Sequence, residues 1–133
     1  MRIEHVAFNV TEATAQTQWH VQHLGMRVVR AVGDPNQTHF MVDASGNAMV
    51  ELYSNPAVPV PDYAGMSVFA LHIAFAVDDL QAEVDRLLAA GASIDGDIYE
   101  SPAGDRMAFL RDPWGLTLQL WQRVQPMLPP ARA

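Results

Sequence analysis

The sequence predicts an α+β fold in which two consecutive βαβββ modules form an open barrel of curved sheet. The main observation is a repeat, because HVAFNV begins at His5 and HIAFAV begins at His72. A second repeat closes each half, where MVELY contains Glu51 and TLQLW contains Gln119. His72 follows His5 by 67 residues and Gln119 follows Glu51 by 68. The two halves therefore keep nearly the same register.

In the first module, alternating apolar residues predict a strand over residues 2–10. Thr11 is expected to cap a helix that Gly25 ends, because threonine suits the N-cap and glycine suits the left-handed position after a helix. Three more strands are predicted between turn-rich stretches, over residues 26–32, 38–42 and 48–54. The predicted order is βαβββ.

The second module repeats this order after a break. Residues 55–67 contain three prolines and one glycine, which interrupt regular structure and predict a linker. A strand is then predicted over 68–77, followed by a helix that Asp78 caps and Gly91 ends. The remaining strands are predicted over residues 94–99, 106–111 and 116–123.

Length and composition limit the possible functions. A chain of 133 residues is expected to form one domain, made of module one (1–54), the linker, module two (68–124) and a tail (125–133). There is no cysteine, so a thiolate metal site is excluded and a cytoplasmic location is expected. A net charge of -7 with only 8 basic residues argues against nucleic acid or an anionic membrane as a partner. No apolar run approaches the ~20 residues of a membrane span.

Strand parity divides the side chains of the predicted sheets into two faces. One face is apolar and is expected to pack beneath the helices; it comprises Val6, Phe8, Val10, Val50, Leu52, Leu71, Ile73, Phe75, Val77, Leu116, Leu118 and Leu120. The other face mixes small, polar and aromatic side chains; it comprises His5, Ala7, Asn9, Met49, Glu51, Tyr53, Ala70, His72, Ala74, Ala76, Thr117, Gln119 and Trp121. Alanines leave room for a ligand, and Tyr53 and Trp121 are placed as apolar walls. The second face therefore predicts a small-molecule cavity.

Four polar residues of this second face are candidates for a metal site: His5, Glu51, His72 and Gln119. They come from the first and last strand of each module, and they converge if the modules curl into one barrel. Two imidazoles, a carboxylate and an amide oxygen suit Zn, Ni, Fe, Co or Mn. We expect one divalent metal per site, with Gln119 either a ligand or a hydrogen-bond partner of a metal-bound water.

Other features are assigned structural roles. His20 and His23 on the first helix are placed on a solvated face, because glutamines flank them. Trp19 is expected in the core. The sequence DPWG from Asp112 to Gly115 predicts a β-turn, with proline at the second position and glycine at the fourth.

In combination, these features resemble the vicinal oxygen chelate superfamily over residues 1–124. That superfamily includes glyoxalase I, bleomycin and fosfomycin resistance proteins, extradiol dioxygenases and methylmalonyl-CoA epimerase. The resemblance rests on the paired modules and on motifs in both of them: His5, His72, Leu24-Gly25-Met26, Glu51-Leu52, Ala108-Phe109 and Asp112-Pro113-Trp114-Gly115. The pattern is most similar to bacterial glyoxalase I, in which an asparagine matches Asn55.

The resemblance implies a function and roles for several residues. The metal would act as a Lewis acid that chelates two neighbouring oxygens of a small molecule and stabilises an enediolate or related oxyanion. Glu51 would be the catalytic carboxylate that moves a proton. Asn9, Tyr53, Asn55 and Trp121 would contact the substrate. Two-module members commonly pair, so a homodimer is expected.

Departures from the family pattern keep two alternatives open. Glyoxalases and epimerases usually carry glutamate at the position of Gln119, and glyoxalase I tends to carry arginine at Asn9 and tryptophan at Pro56. A protein that sequesters a drug or metabolite without turnover, as bleomycin resistance proteins do, is one alternative. A ring-cleaving dioxygenase is the other, although its carboxylate ligand usually lies on the last strand rather than at Glu51.

Overall fold

A computed structural model of the protein describes residues 1–128 and divides the chain into two units, one spanning Met1–Pro61 and the other beginning at Asp62. The first unit comprises β1 (Val6–Asn9), α1 (Ala13–Leu24), β2 (Arg27–Val32), β3 (Thr38–Val42) and β4 (Met49–Tyr53). The second comprises β5 (Ile73–Ala76), α2 (Leu80–Ala89), β6 (Ser93–Glu100), β7 (Arg106–Arg111) and β8 (Thr117–Gln122). The predicted α+β fold of tandem βαβββ modules is confirmed. The last part of the predicted tail, residues 129–133, lies outside the described residues.

The two sheets have the same topology. Their strand orders are β1-β4-β3-β2 and β5-β8-β7-β6, and neither four-stranded sheet closes on itself. In each sheet the first strand runs parallel to the last, and the other pairs are antiparallel. Ala7 pairs with Glu51 in the first unit, and Ala74 pairs with Gln119 in the second. The repeat in the sequence is therefore a repeat in three-dimensional pairing.

In each unit the last strand buries its part of the predicted apolar face, whereas the residues of β5 on that face are only half-buried. Leu52, Leu118 and Leu120 are at most 2% exposed. Val6 is an exception at 53% exposed, because it lies at the start of the edge strand β1. Neither helix among residues 1–128 has the length and apolar character that crossing a membrane requires.

The two helices bury different kinds of side chain. Helix α2 buries Leu80, Val84 and Leu87, whereas α1 buries Gln16 and His20 completely. The prediction of a solvated face was therefore wrong for His20. The buried positions of α1 have the spacing of an ordinary apolar stripe. Several of these residues are polar, so the pattern of hydrophobic residues did not reveal the buried face. The Trp19 ring, buried as predicted, contacts the rings of both His20 and His23.

The helices begin later than predicted because side chains from distant strands satisfy their first N–H groups. The Ala13 N–H donates to Ser54 Oγ at 3.0 Å, and the Leu80 N–H donates to Gln122 Oε1 at 2.8 Å. Asp79, rather than Asp78, is the N-cap of α2 and accepts from the Ala82 N–H at 3.1 Å. The prediction that Thr11 caps α1 was also wrong, because α1 starts at Ala13.

Strand β5 is shorter than predicted. Residues 68–70 form a turn, in which the Ala70 N–H donates to the Ser67 carbonyl at 2.9 Å, and the strand begins at Ile73. Its partner β8 begins at Thr117 after a turn and offers no extended backbone beside the earlier residues. Ala70 is therefore not part of the sheet face, and His72 lies directly before β5, just as His5 lies directly before β1.

The predicted DPWG turn is confirmed. The Gly115 N–H donates to the Asp112 carbonyl at 2.9 Å, and Asp112 Oδ1 accepts the Trp114 and Leu116 N–H groups, each at 3.0 Å. Gly115 has φ +89°, and a Cβ at this position would lie 2.6 Å from the Ala64 Cβ. Only glycine fits here without strain.

Candidate metal centre

In the first unit, parallel pairing of β1 with β4 brings His5 close to Glu51. His5 Nε2 lies 3.2 Å from Glu51 Oε2, and the two side chains are 33% and 16% exposed. The other ring nitrogen, Nδ1, contacts the carboxylate of Glu4. The edge of the Phe40 ring packs on the imidazole with a centroid separation of 5.4 Å. His5 is therefore held between two carboxylates and an aromatic ring.

The spacing of this pair suits shared coordination. Two ligands that each lie about 2.1 Å from one metal, at angles of about 90° to 109°, are separated by roughly 3.0–3.4 Å. The 3.2 Å between His5 Nε2 and Glu51 Oε2 falls within that interval. The imidazole nitrogen and the carboxylate oxygen therefore have a separation that is compatible with binding one metal, as well as with an ion pair.

In the second unit, His72 and Gln119 occupy the matched positions. His72 Nδ1 donates to the Val68 carbonyl at 2.8 Å, which fixes the tautomer and leaves the Nε2 lone pair for a ligand interaction. Gln119 is 8% exposed and lies opposite Ala74 in the register of β5 and β8. A hydrogen bond from Nδ1 to a carbonyl is the usual arrangement behind a metal-binding histidine.

An aromatic ring belongs to each half as well. Phe40 pairs with Glu51 across β3 and β4, and Phe109 pairs with Gln119 across β7 and β8. The Phe109 ring lies 5.4 Å from the His72 ring, matching the first unit. Phe40 was not among the predicted site residues, although the alignment of β3 with β7 places it 69 residues before Phe109. Each phenylalanine ring makes a T-shaped contact with the imidazole, which favours one orientation of the histidine side chain.

The predicted substrate contacts of the first unit are engaged within that unit. Asn9 is 7% exposed, and its Nδ2 donates to the Val58 carbonyl at 3.0 Å and to the Asn55 carbonyl at 3.4 Å. Its Oδ1 accepts the Asn55 N–H at 2.8 Å. The Asn55 side chain accepts the Ala57 N–H at 2.9 Å. Tyr53, opposite Asn9 in the register, is half-buried. Both asparagines fasten the segment that follows β4.

The second unit is different at the corresponding end of its last strand. The Arg123 guanidinium carbon lies 4.0 Å from the centroid of the Trp121 ring. An Arg123 terminal nitrogen lies 3.6 Å from Asp105 Oδ2, and Asp105 Oδ1 accepts the Val124 N–H at 2.8 Å. Trp121 was predicted as an apolar wall, but Arg123 was not identified. Arginine two residues after a face residue of a strand was the signal that could have identified it.

An open cleft of about 280 Å³ lies elsewhere in the first unit. It is lined by Thr14, Ala31, Val32, Gly33, Asp34, Gln37 and His39. His39 pairs with Leu52, whose side chain points to the helix-covered face. The cleft is therefore on the opposite face of the sheet from Glu51.

Each unit by itself offers two of the four predicted metal ligands. Among residues 1–128, no three His, Asp or Glu side chains are grouped closely enough to hold a metal ion. Catalytic zinc sites ordinarily use three protein ligands. The first unit supplies one nitrogen and one carboxylate, and the second supplies one nitrogen and one amide oxygen.

Comparison with known proteins places the chain in a family. The family model for the Glyoxalase/Bleomycin resistance protein/Dioxygenase superfamily matches residues 2–120. A probable lactoylglutathione lyase of Vibrio cholerae is 28% identical over 130 residues, which cover 93% of this chain and 92% of that protein.

Solved structures share the fold. A glyoxalase family protein from Bacillus cereus superposes with a TM-score of 0.78 at 19% identity, covering 94% of this chain and 95% of that chain. TnmS3, an antibiotic binding protein from a Streptomyces species, superposes with a TM-score of 0.66 at 23% identity, covering 92% and 98%.

Proposed function

Because the chain belongs to the Glyoxalase/Bleomycin resistance protein/Dioxygenase superfamily, we propose that it is a divalent-metal-dependent lyase or isomerase that acts on a small molecule. The observation that carries the proposal is the pair formed by His5 and Glu51, with 3.2 Å between Nε2 and Oε2. A partly buried pair contributes little net stability, because the cost of removing two charges from water offsets much of their attraction, so the stability of the fold does not account for it.

The proposed metal ligands are His5, Glu51, His72 and Gln119, supplied within one chain or shared between two chains. The hydrogen bond from His72 Nδ1 to the Val68 carbonyl supports this role, because it leaves Nε2 as the donor atom. With no cysteine in the chain, nitrogen and oxygen donors favour Zn, Ni, Fe, Co or Mn. The metal would supply Lewis-acid stabilisation of negative charge on the oxygens of the bound molecule.

Glu51 is the proposed catalytic residue. Its carboxylate is 16% exposed and lies beside an imidazole, so a carboxylate oxygen that is not bound to the metal can accept a proton from a bound molecule in a partly desolvated setting. Gln119 cannot take this role, because a neutral amide is not a base at physiological pH. Proton transfer is therefore assigned to the first unit alone.

Metal retention tests the proposal. Protein purified without added metal should hold about one divalent metal per complete site, and His72→Ala should abolish retention. His39→Ala is the matched control, because this histidine belongs to the other face of its sheet and contacts the Gln37 carbonyl. Metal content measured by mass spectrometry of the dialysed proteins decides the matter. Undiminished metal in His72→Ala would overturn the assignment.

A second candidate is a sequestering protein without turnover. Gln119 favours it, because a buried amide replaces the carboxylate that proton transfer would use in the second unit. TnmS3, which shares the fold, is an antibiotic binding protein. Recovery of bound molecules chemically unchanged, with equal affinity in metal-free and metal-loaded protein, would favour this candidate. A dioxygenase is less well supported, because Glu51 lies on β4 rather than on the last strand.

We also propose that the protein is a homodimer, as expected from the family resemblance. A dimeric mass is expected by light scattering at micromolar concentration. A monomeric mass under these conditions would contradict this part of the proposal.

A further inference from the structure

The second unit presents a fixed cation on the same face as Gln119. Trp121 follows Gln119 by two residues in β8, so both side chains point to one side of the sheet. The Arg123 guanidinium carbon lies 4.0 Å above the Trp121 ring, and Asp105 contacts its end. Because Asp105 is itself held by the Val124 N–H, the arginine is positioned from two sides.

Arg123 differs from the neighbouring arginine on this face. Arg111, which pairs with Thr117, is 14% exposed and donates to Asp95, to Thr117 and to backbone carbonyls. The N–H donors of Arg111 are therefore engaged in hydrogen bonds within the second unit. Arg123 is 27% exposed, and its contact with Asp105 is 3.6 Å, longer than a hydrogen bond. A guanidinium has five N–H donors, so Arg123 retains donors for a bound molecule.

The protein has a net charge of -7, so its surface as a whole repels anions. Arg123 is therefore a local positive group on a negative background. A guanidinium that an indole and a carboxylate hold in place loses little further freedom when it binds a planar oxyanion through two N–H groups. A carboxylate is the group that this arrangement recognises best.

The spacing along β8 sets the length of the ligand. At about 3.3 Å of rise per residue, positions 119 and 121 are roughly 6.6 Å apart. A molecule whose oxygens lie at Gln119 would therefore carry its anionic group a few bonds away, at the level of Trp121. The matched position in the first unit is Asn55, which is folded against Asn9. The first unit thus has no counterpart of this cation at that position.

We propose that Arg123, held on Trp121, is an anion subsite, and that the ligand is a small carboxylic acid with two neighbouring oxygens at its other end. The inference deepens the proposed function by naming the substrate class and rests on it for the position of the two oxygens. The subsite itself depends only on Arg123, Trp121 and Asp105.

Two probes that have nearly the same shape and differ in charge test the subsite. The acid 3,4-dihydroxybenzoate has neighbouring hydroxyls and a carboxylate at opposite ends of one ring, and 3,4-dihydroxybenzamide is its neutral match. Isothermal titration of metal-loaded and metal-free protein should show tighter binding of the acid than of the amide. Arg123→Gln should weaken binding of the acid about tenfold or more and leave the amide unchanged, because a charge-assisted pair is lost.

Control variants separate this subsite from general charge effects. Arg106→Gln removes the same charge from the helix-covered face of the same sheet, since Arg106 pairs with Gln122, and should not change either affinity. Arg123→Lys should recover only part of the preference, because lysine keeps the charge without the planar fork.

The outcomes distinguish this inference from the proposed function. Equal affinity for acid and amide in the unmodified protein, including binding of neither, overturns the anion subsite, as does an unchanged preference in Arg123→Gln. A preference for the acid that persists while metal makes no difference supports the subsite and counts against the metal-dependent function.

Discussion

The two units use one backbone plan and differ in the side chains at matched positions. Glu51 in the first unit corresponds to Gln119 in the second, and both pair with an alanine of the neighbouring parallel strand. After the last strand, the first unit is fastened by Asn9, whereas the second presents Arg123 over Trp121. A repeated scaffold can therefore carry different chemistry in each half: in our proposals, the carboxylate of the first unit takes a proton and the cation of the second unit orients an anion.

The largest expected effect comes from removing the carboxylate that distinguishes the first unit. Glu51→Gln makes that unit resemble the second, and it should lower turnover by about a hundredfold to ten-thousandfold, because a positioned general base is lost. Metal retention should fall as well. Glu4→Gln is the matched control, since Glu4 also contacts His5 but is 67% exposed. The slow turnover of methylglyoxal-glutathione hemithioacetal at high enzyme concentration, with Ni, Zn, Mn and Fe in turn, is measured together with the metal content after dialysis. Equal losses in both variants would remove the special role of Glu51.

The reverse exchange sharpens the comparison. Gln119→Glu gives the second unit the carboxylate of the first, with little change of size. It should tighten metal binding, because a negative charge is added, and raise proton-transfer activity about a hundredfold. The unmodified protein should isomerise the hemithioacetal poorly. Metal affinity by competition with a chelator provides a reading that is independent of activity. Weaker metal binding in Gln119→Glu would show that residue 119 does not face the metal.

The matched turns offer a comparison in stability. Gly46 and Gly115 both have positive φ, at +72° and +89°, but only Gly115 faces close atoms of another segment. Gly115→Ala should lower the free energy of unfolding by about 2–5 kcal/mol, from backbone strain together with the clash against Ala64. Gly46→Ala should cost only about 1–2 kcal/mol, because its Cβ would meet open space. Urea unfolding of both variants measures the difference, and equal costs would contradict the role of the close approach.

Two adjacent positions of α2 give the last contrast. Leu87→Ala in α2 should cost about 2–5 kcal/mol, because Leu87 is 1% exposed. Leu88→Ala, at the adjacent position, should cost less than about 1 kcal/mol, since Leu88 is 38% exposed. Thermal unfolding followed by circular dichroism checks both. Similar losses would mean that the buried stripe of α2 is assigned to the wrong residues.

Much of the fold could be predicted because the repeat constrains both halves together. Strands 38–42 and 106–111 were predicted with the bounds that the structure has. Alternation also assigned Glu51 and Gln119 to the face that the register now gives them, since each pairs with an alanine of that face. The sequence pattern alone predicts the ends of a strand where turn residues lie on both sides of it.

The remaining features depend on contacts that are distant in the sequence. The first residue of each helix donates its N–H to Ser54 or to Gln122. Each acceptor lies about forty residues away along the sequence. His20 was misassigned because burial of a polar helix face depends on the sheet beneath it, not on composition. Arg123 was missed because strand position alone does not show that its side chain folds back over the Trp121 ring.

The side chains at the end of the last strand also suggest a route for protein engineering. Trp121 belongs to the proposed ligand face, and its neighbour Gln122 receives the first N–H of α2. In the first unit, Tyr53 belongs to the proposed ligand face and Ser54 accepts the first N–H of α1. Because neighbouring residues of a strand point to opposite sides, a library that varies positions 53 and 121 leaves both helix anchors intact. Binding preference can then be selected separately from folding.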